Sequence, residues 1–420
     1  MGHRATRVCL CREQDLLGMK TRVEGENVAP LPDFSPELRF VFAAARLAVG
    51  GDAVMAQLHC AEAEVGDWEA VARGIVHHGL VGLAAPALLR AKAAPAATLA
   101  ALDAERSPHV VGVMSRLFEL VRIARALKAA RIRHLFIKGI ALSIQLYGDP
   151  VMRAGRDIDV LVERSRIRDA EAILLDLGYE LPTHCTAAAE PTEGEPPKES
   201  GWVHGESRIL VELHDRLCDN HALLPWDFEM LWTERETVTI GGMTVPTMAR
   251  RRLPVYLAVH GIRHGWQRLL WLIDLAALLD RDAAWDDALD DAAALGLEGM
   301  MLHVGWALHH WLARPVPSDV LARGRRRLEV RLLNRLVARF HNGPRWYEMA
   351  PRGSVRRFID GSVWSRSITY TMKPTRAFWS SQLAFDLSSP QDRAAFALPA
   401  RLGWMYPLIR PFGWAIRRLR

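Results

Sequence analysis

Asp157 and Asp159 stand two residues apart in the run Asp157-Ile158-Asp159-Val160-Leu161-Val162. Successive side chains on a strand point to opposite faces, so residues i and i+2 share one. On such a strand the two carboxylates project together, and Ile158, Val160 and Val162 project to the other side. Carboxylates held side by side repel one another and lose hydration. A divalent cation relieves both penalties and suits their hard oxygen donors. A solvated edge strand would tolerate the same two residues with no ion, so the run alone leaves both readings open.

The residues before it narrow the choice. Arg133-His134-Leu135-Phe136-Ile137-Lys138-Gly139 reads as a short strand ending at glycine, and Ile140 to Tyr147 reads as a helix stopped by Gly148-Asp149-Pro150. A strand that turns at Gly139 into a helix offers free backbone N–H groups to an anion, and Lys138 adds a full positive charge beside them. Arg153 and Arg156 lie in the loop that leads to Asp157. A phosphate cradle, a metal-binding pair and nearby arginines are the parts needed for phosphoryl or nucleotidyl transfer.

This order of strand, glycine turn, helix, loop and Asp-x-Asp strand resembles the DNA polymerase beta nucleotidyltransferase superfamily. The usual turn there is Gly-Ser or Gly-Gly, whereas this chain has Lys138-Gly139-Ile140. With Leu146-Tyr147-Gly148-Asp149-Pro150, Arg153 and Asp157-Ile158-Asp159-Val160-Leu161-Val162, the departure resembles a bacterial branch known as uncharacterised nucleotidyltransferases. The likeness covers about residues 60 to 280 and is strongest over 133–162. Genes of that branch often lie among those for natural products or surface polysaccharides, which bears on the substrate.

The resemblance implies a third carboxylate on a neighbouring strand. In Arg208-Ile209-Leu210-Val211-Glu212-Leu213-His214-Asp215, alternation puts Ile209, Val211 and Leu213 on one face and Leu210, Glu212 and His214 on the other. Glu212 is the expected third ligand, with Asp215 as the runner-up. His214 is expected at the rim, bonded to Glu212 or to a metal-bound water, because magnesium takes oxygen ligands. The resemblance then implies two magnesium ions, with manganese as a substitute, on Asp157, Asp159 and Glu212. A nucleoside triphosphate, ATP among the candidates, would lie on Lys138, Gly139, Arg153 and Arg156.

A further helix is expected from about Pro254 to Leu279. Val259, Ile262, Trp266, Leu269, Leu270, Ile273 and Ala277 make an apolar stripe at helical spacing, and His260, His264, Gln267, Trp271 and Asp274 fall on the other side. The polar stripe is read as facing the cleft, with His264 and Trp271 touching nucleotide or acceptor. The resembled branch carries a similar His-x3-His…Trp…Asp pattern. A zinc pair at His260 and His264 is disfavoured, because no glutamate follows His260 as a metalloprotease needs. His77 and His78 diverge by about 100° on a helix, so one is expected packed and the other exposed.

Composition bounds the rest. The chain has 420 residues, enough for two or three packed units. Hydrophobic residues make up 50% and charged residues 24%, the proportions of an ordinary globular protein. A net charge of +6 suits anionic substrates but is too small to argue for nucleic acid, which is not expected as a partner. The cysteines Cys9, Cys11, Cys60, Cys185 and Cys218 are odd in number and scattered. They fit a reducing cytoplasm better than a disulfide framework or a zinc knuckle. No secretory leader and no spanning run of about 18 apolar residues is evident.

The expected organisation is a flexible segment at 1–35, helices at 36–125, a catalytic core at 126–245, helices at 246–345 and a basic aromatic extension at 346–420. The stretch Thr183 to Gly201, rich in Pro, Glu, Ala and Gly, reads either as a mobile loop able to cover the site or as a disordered insertion with no role. Arginines and aromatics from Arg401 to Arg420 suit a peripheral membrane contact, a partner groove or docking on the protein itself. The fold class is α+β: a small mixed sheet of nucleotidyltransferase type flanked by N- and C-terminal helical regions. The expected activity is transfer of a nucleoside monophosphate to a small metabolite, a modified peptide or a protein. Two alternatives stand beside it, an inactive nucleotide-binding partner or sensor and a template-independent RNA-modifying enzyme. The second would need a basic aromatic channel.

Overall fold

The computed structural model describes residues 33–50, 54–153, 155–181, 198–341, 365–387 and six isolated positions after 397. Most of the expected lead-in at 1–35, most of the loop at 183–201 and nearly all of the 401–420 tail lie outside the described residues.

The chain is α+β. Helices α1 (Pro36–Gly50), α2 (Met55–Glu62), α3 (Trp68–His77), α4 (Ala84–Ala91) and α5 (Ala96–Ala129) come first. Then follow β1 (His134–Phe136), α6 (Gly139–Tyr147), β2 (Asp157–Val162), α7 (Ile167–Asp176), β3 (Tyr179–Glu180), β4 (Glu199–His204) and β5 (Leu210–His214). After α8 (Phe228–Glu234) a hairpin of β6 (Glu236–Ile240) and β7 (Met243–Thr247) closes the sheet. The helices α9 (Leu253–Arg263), α10 (Leu269–Leu278), α11 (Asp282–Ala294), α12 (Glu298–Leu312), α13 (Ser318–Arg326), α14 (Leu328–His341) and α15 (Arg376–Leu387) complete the order.

The sheet has seven strands in the order β3-β4-β5-β2-β1-β7-β6. It is mixed: β2 runs parallel to β5 and antiparallel to β1, and β4 runs antiparallel to β5. Thus β2, which carries the two aspartates, is central and not an edge. Its register with β5 sets Ile158 opposite Val211 and Asp159 opposite Glu212.

The two sheet faces are chemically distinct. Ile158, Val160 and Val162 join Val211, Leu213, Trp202 and Phe136 in one core, completed by α5 and α7 residues such as Leu120 and Leu174. A larger core lies among the helices and includes Leu135, Leu142, Leu161, Tyr256 and Trp266. Helix α6 is shared between them, with Ile140 and Ala141 in the first and Leu142, Leu146 and Tyr147 in the second. The strand period of two therefore buries one row of β2 in oil and leaves Asp157 and Asp159 on the other side.

Three local expectations are corrected. The apolar spacing from Pro108 to Lys128 predicts a helix there, but the helix begins at Ala96 and runs through the proline, at a point where Ala104 and Pro108 are both exposed. There the carbonyl that the proline cannot serve is open to water. The segment 199–201, read as the end of a loop, is strand β4, bonded along its length to β5. Third, Pro254 to Leu279 is not one helix. It breaks between α9 and α10, where Gly265 and Trp266 take consecutive left-handed conformations, φ 58° and 54°.

A tryptophan in that region is strained, and burial compensates. The Trp266 indole is fully buried against Gly261, where a Cβ would come within 2.1 Å of the ring. Its Nε1 donates to His303 Nε2 at 3.0 Å. His78 holds the same turn, its Nδ1 accepting from the backbone N–H of Leu269 at 3.2 Å. His78 is buried as one of the pair was expected to be, but His77 is half-buried and not exposed, its Nε2 lying 3.2 Å from the Gln267 carbonyl.

Candidate active site

The polar row of β2 and β5 opens into a cleft of about 370 Å³. Lys138, Arg153, Arg156, Asp157, Asp159, Glu212, His264 and Trp271 all line it. Eight of the nine residues singled out in the sequence thus reach one cavity. The ninth, Gly139, stands at its edge as the first residue of α6, with φ +60° and its Cα side close to the Asp157 carbonyl. Lys138 is the extended residue at the cap of that helix. The strand–glycine–helix turn is therefore formed as the sequence suggested.

The centre of the cleft is Asp159, almost wholly buried. Isolating a carboxylate from water is costly unless cations or hydrogen bonds compensate. Lys138 Nζ lies 2.7 Å from Asp159 Oδ1, and His214 Nε2 lies 3.2 Å from the same oxygen. Burial alone would raise the Asp159 pKa, but Lys138 and the His214 hydrogen bond outweigh it and hold the carboxyl well below the ordinary range. Asp157 goes the other way. Burial and the neighbouring Asp159 charge push it up to about 6. Two carboxylates on one strand face are thus driven apart in acidity, as expected of a pair short of positive charge.

Glu212 sits across from Asp159 on β5. The ligand atoms of Asp159, Glu212 and His214 all lie within 4.8 Å of one another, a spacing that could hold a metal ion. Asp157 shares the face and the cleft but stands outside this tightest group. Asp215, the runner-up, faces elsewhere: it pairs with Arg216 at 3.0 Å and lines a separate cleft of about 430 Å³ beyond Leu161. The two clefts share Leu217 as a wall.

His214 is not a rim residue. Its side chain is buried, with Nε2 also 3.6 Å from Glu212 Oε2 and Nδ1 3.2 Å from Glu199 Oε2. Burial alone would lower its pKa, but hydrogen bonds to Asp159 and Glu212 raise it. Alternation had placed His214 on the correct face. What it could not supply was β4, which sets Glu199 opposite His214. Glu199, with Lys198 paired to it, escaped the sequence reading because it lies at the end of a stretch with loop composition.

The arginines differ. Arg156 is exposed in the loop before β2. Arg153 is buried and commits its Nε to Asp274 Oδ2 at 2.8 Å. The other Asp274 oxygen accepts from the Tyr147 hydroxyl at 2.8 Å. Asp274, assigned from its helical phase to a polar stripe facing the cleft, is instead wholly buried. It ties α10 to α6 and to the loop before β2. Arg263 and Arg268, which the sequence reading passed over, also line the cleft. Burial and the nearby Arg156 lower the Arg268 pKa to about 10.

Opposite the carboxylates stands a cluster of rings. His260 and Trp271 have centroids 4.7 Å apart, His260 and His264 4.9 Å, and His264 and Trp271 5.6 Å. The break between α9 and α10 folds these residues onto one another. His264 is exposed, and His260 and Trp271 are half-buried. Although His264 reaches the surface, the cleft walls keep part of the water from its ring, and this, with Arg263 and Lys138 nearby, lowers its pKa. The cleft thus offers carboxylates on one wall, a helix N-terminus and arginines at one end, and neutral aromatic faces on the other wall. A phosphate chain, a divalent ion and a flat base could be accommodated together.

The profile of a family described as uncharacterised nucleotidyltransferase matches residues 64–313, more than half of the chain. That span contains the whole sheet and every cleft residue named above. No curated protein matches the chain. Among the described residues, no helix is long and apolar enough to cross a membrane.

Proposed function

The chain belongs to the uncharacterised nucleotidyltransferase family, and from that premise we propose that it moves a nucleoside monophosphate from a nucleoside triphosphate to a nucleophile, releasing pyrophosphate. The acceptor would carry a hydroxyl or other nucleophilic group on a small metabolite, a modified peptide or a protein. The observation that supports this reading best is the convergence of Asp157, Asp159 and Glu212 on one wall of a cleft that Lys138, at the cap of α6, also lines.

The donor set fits a divalent cation: a buried carboxylate, a second carboxylate across the strand pair and a third on the same face. Asp157, Asp159 and Glu212 would hold magnesium. When bound, such ions polarise the phosphate and lower the pKa of an attacking hydroxyl. The other work falls to the chain itself. The N–H groups at the start of α6 would hold the triphosphate oxygens, and Arg156 and Arg153, both of which line the cleft, would offset charge growing on the leaving pyrophosphate. Lys138, now 2.7 Å from Asp159, is close enough to serve either the carboxylate or a phosphate. Trp271 and His264 would carry the base. The adjoining cleft past Leu161 gives an acceptor room on the same side of the sheet.

The test is incubation of the purified chain with each labelled nucleoside triphosphate, magnesium or manganese, and a fractionated extract of its source cells. Pyrophosphate release with label carried into one fraction is expected, and Asp159→Asn should abolish it. Triphosphate binding with no turnover under any metal or extract would instead favour an inactive nucleotide-binding protein.

A further inference from the structure

The wall around Asp159 does not offer oxygen alone. We propose that His214 is itself a metal ligand through Nε2, and that the ion it shares with Asp159 and Glu212 is a first-row transition ion of the manganese(II) type in preference to magnesium. This rests on the reading of the cluster as a metal site and names the ion that the site selects.

Three observations carry it. First, His214 Nε2 is aimed between carboxylates, 3.2 Å from Asp159 Oδ1 and 3.6 Å from Glu212 Oε2. These ligand atoms form the group within 4.8 Å of one another, and Asp157 stands outside it. Second, the imidazole is only 2% exposed and is set by strand register, so it is held where it stands. Third, its far nitrogen, Nδ1, lies 3.2 Å from Glu199 Oε2, and Lys198 pairs with that glutamate. A carboxylate behind the far ring nitrogen is the arrangement that orients metal-binding histidines. Nδ1 is buried and makes no hydrogen bond of good geometry, so Glu199 stands ready to accept from an Nδ1–H when Nε2 turns to an ion.

The choice of ion follows from the donors. Magnesium demands oxygen and keeps much of its water, so a buried imidazole in its shell is poorly matched. Imidazole nitrogen with carboxylates suits first-row transition ions, whose affinity for nitrogen rises from manganese onward. Two carboxylates, one imidazole and a phosphate substrate favour a six-coordinate ion over a tetrahedral, sulfur-loving one.

Manganese(II) binding to the full-length chain, followed by titration and pulsed electron paramagnetic resonance, tests the proposal without any turnover. Nitrogen modulation of the bound manganese signal is expected, and it should change isotope pattern when the histidines carry ¹⁵N. In His214→Gln the modulation should vanish and manganese affinity should fall by about 10- to 100-fold, while magnesium affinity moves less than threefold. Glu199→Gln should keep the modulation and weaken manganese binding. Manganese bound to the wild-type chain without nitrogen modulation would overturn the proposal and leave the metal-site reading standing. Modulation that survives in His214→Gln would place the nitrogen on His260 or His264 and overturn it as well. No manganese or magnesium binding that depends on Asp159 would defeat the metal-site reading itself. The isotope measurement on the wild-type chain decides the matter even if His214→Gln does not fold.

Discussion

Asp159 and Asp274 are two aspartates at nearly the same depth, and they have opposite surroundings. Each meets a cation, Lys138 at 2.7 Å and Arg153 at 2.8 Å. Asp274 is closed: Arg153 takes one oxygen, the Tyr147 hydroxyl takes the other, and apolar residues of α10 surround it. Asp159 is crowded by Asp157, Glu212 and, behind His214, Glu199. The first cluster satisfies its own charge and serves as a joint between α6 and α10. The second sets several carboxylates side by side on one face of the sheet and opens on a cleft. Burial does not separate a structural aspartate from a chemical one. What separates them is whether the surroundings already complete it.

Neutralising each aspartate should show that difference most sharply. Asp159→Asn should cut nucleotidyl transfer by at least about 10²- to 10³-fold, the scale for losing a group aimed at transition-state charge, with a smaller fall in stability than Asp274→Ala, because losing this charge strands Lys138 but also relieves repulsion from Asp157 and Glu212. Turnover within a few-fold of wild type, measured by pyrophosphate release, would remove Asp159 from the chemistry. Asp274→Ala should do the reverse. It strands the buried Arg153, and breaking such a pair costs about 3–5 kcal/mol, read as a lower denaturation midpoint. A variant as stable as wild type would show that the joint is not structural.

The comparison extends to a third buried group. His303 accepts from Trp266 Nε1 and its Nδ1 lies 2.6 Å from Asn334 Oδ1, so the fold requires the neutral ring. Burial lowers its pKa from 6.5 to about 4. The unfolded chain binds the proton more readily, so this contribution is complete above pH 6.5 and is lost as pH falls toward 4. The difference is on the order of 3 kcal/mol, and Trp266→Phe should weaken it. Melting temperatures between pH 4 and 7.5 would check this, and a flat profile would contradict it.

The smallest effects are expected on the ring wall. His264→Ala removes an exposed ring and should raise the KM for nucleotide or acceptor with little change in stability. Trp271→Ala should raise it further, up to the roughly 1–3 kcal/mol of a lost stacking partner. Because Trp271 also packs against the helical core, a modest drop in melting temperature is expected with it. Unchanged kinetics in both variants would mean that this wall only packs.

Much of the site was legible because its rules are local. A period of two is built into any strand, so Asp157 and Asp159, and likewise Glu212 and His214, had to share faces with each other. A glycine after a short strand had to start α6 with its N–H groups free. The α+β class, with its mixed sheet, came with the resemblance carried by residues 133–162. Local rules failed where the backbone left its default course. Helical phase assumed one straight axis from Pro254 to Leu279, and the left-handed pair Gly265 and Trp266 broke it. Phase then misjudged Asp274, which is buried, although it was right that His264 and Trp271 face the cleft.

The sequence by itself determined the faces, the turn and the kinds of donor that this protein has. Those depend on covalent geometry and on neighbours a few residues away. Only the tertiary structure decided which donors touch. His214 meets Asp159 across 55 residues of chain, and Glu199 reaches His214 because a segment with loop composition adds a strand beside β5. Lys138 turned to Asp159 for the same reason that Arg153 turned to Asp274. A buried carboxylate is costly until a positive charge reaches it, and which charge lies within reach is set by packing between distant segments.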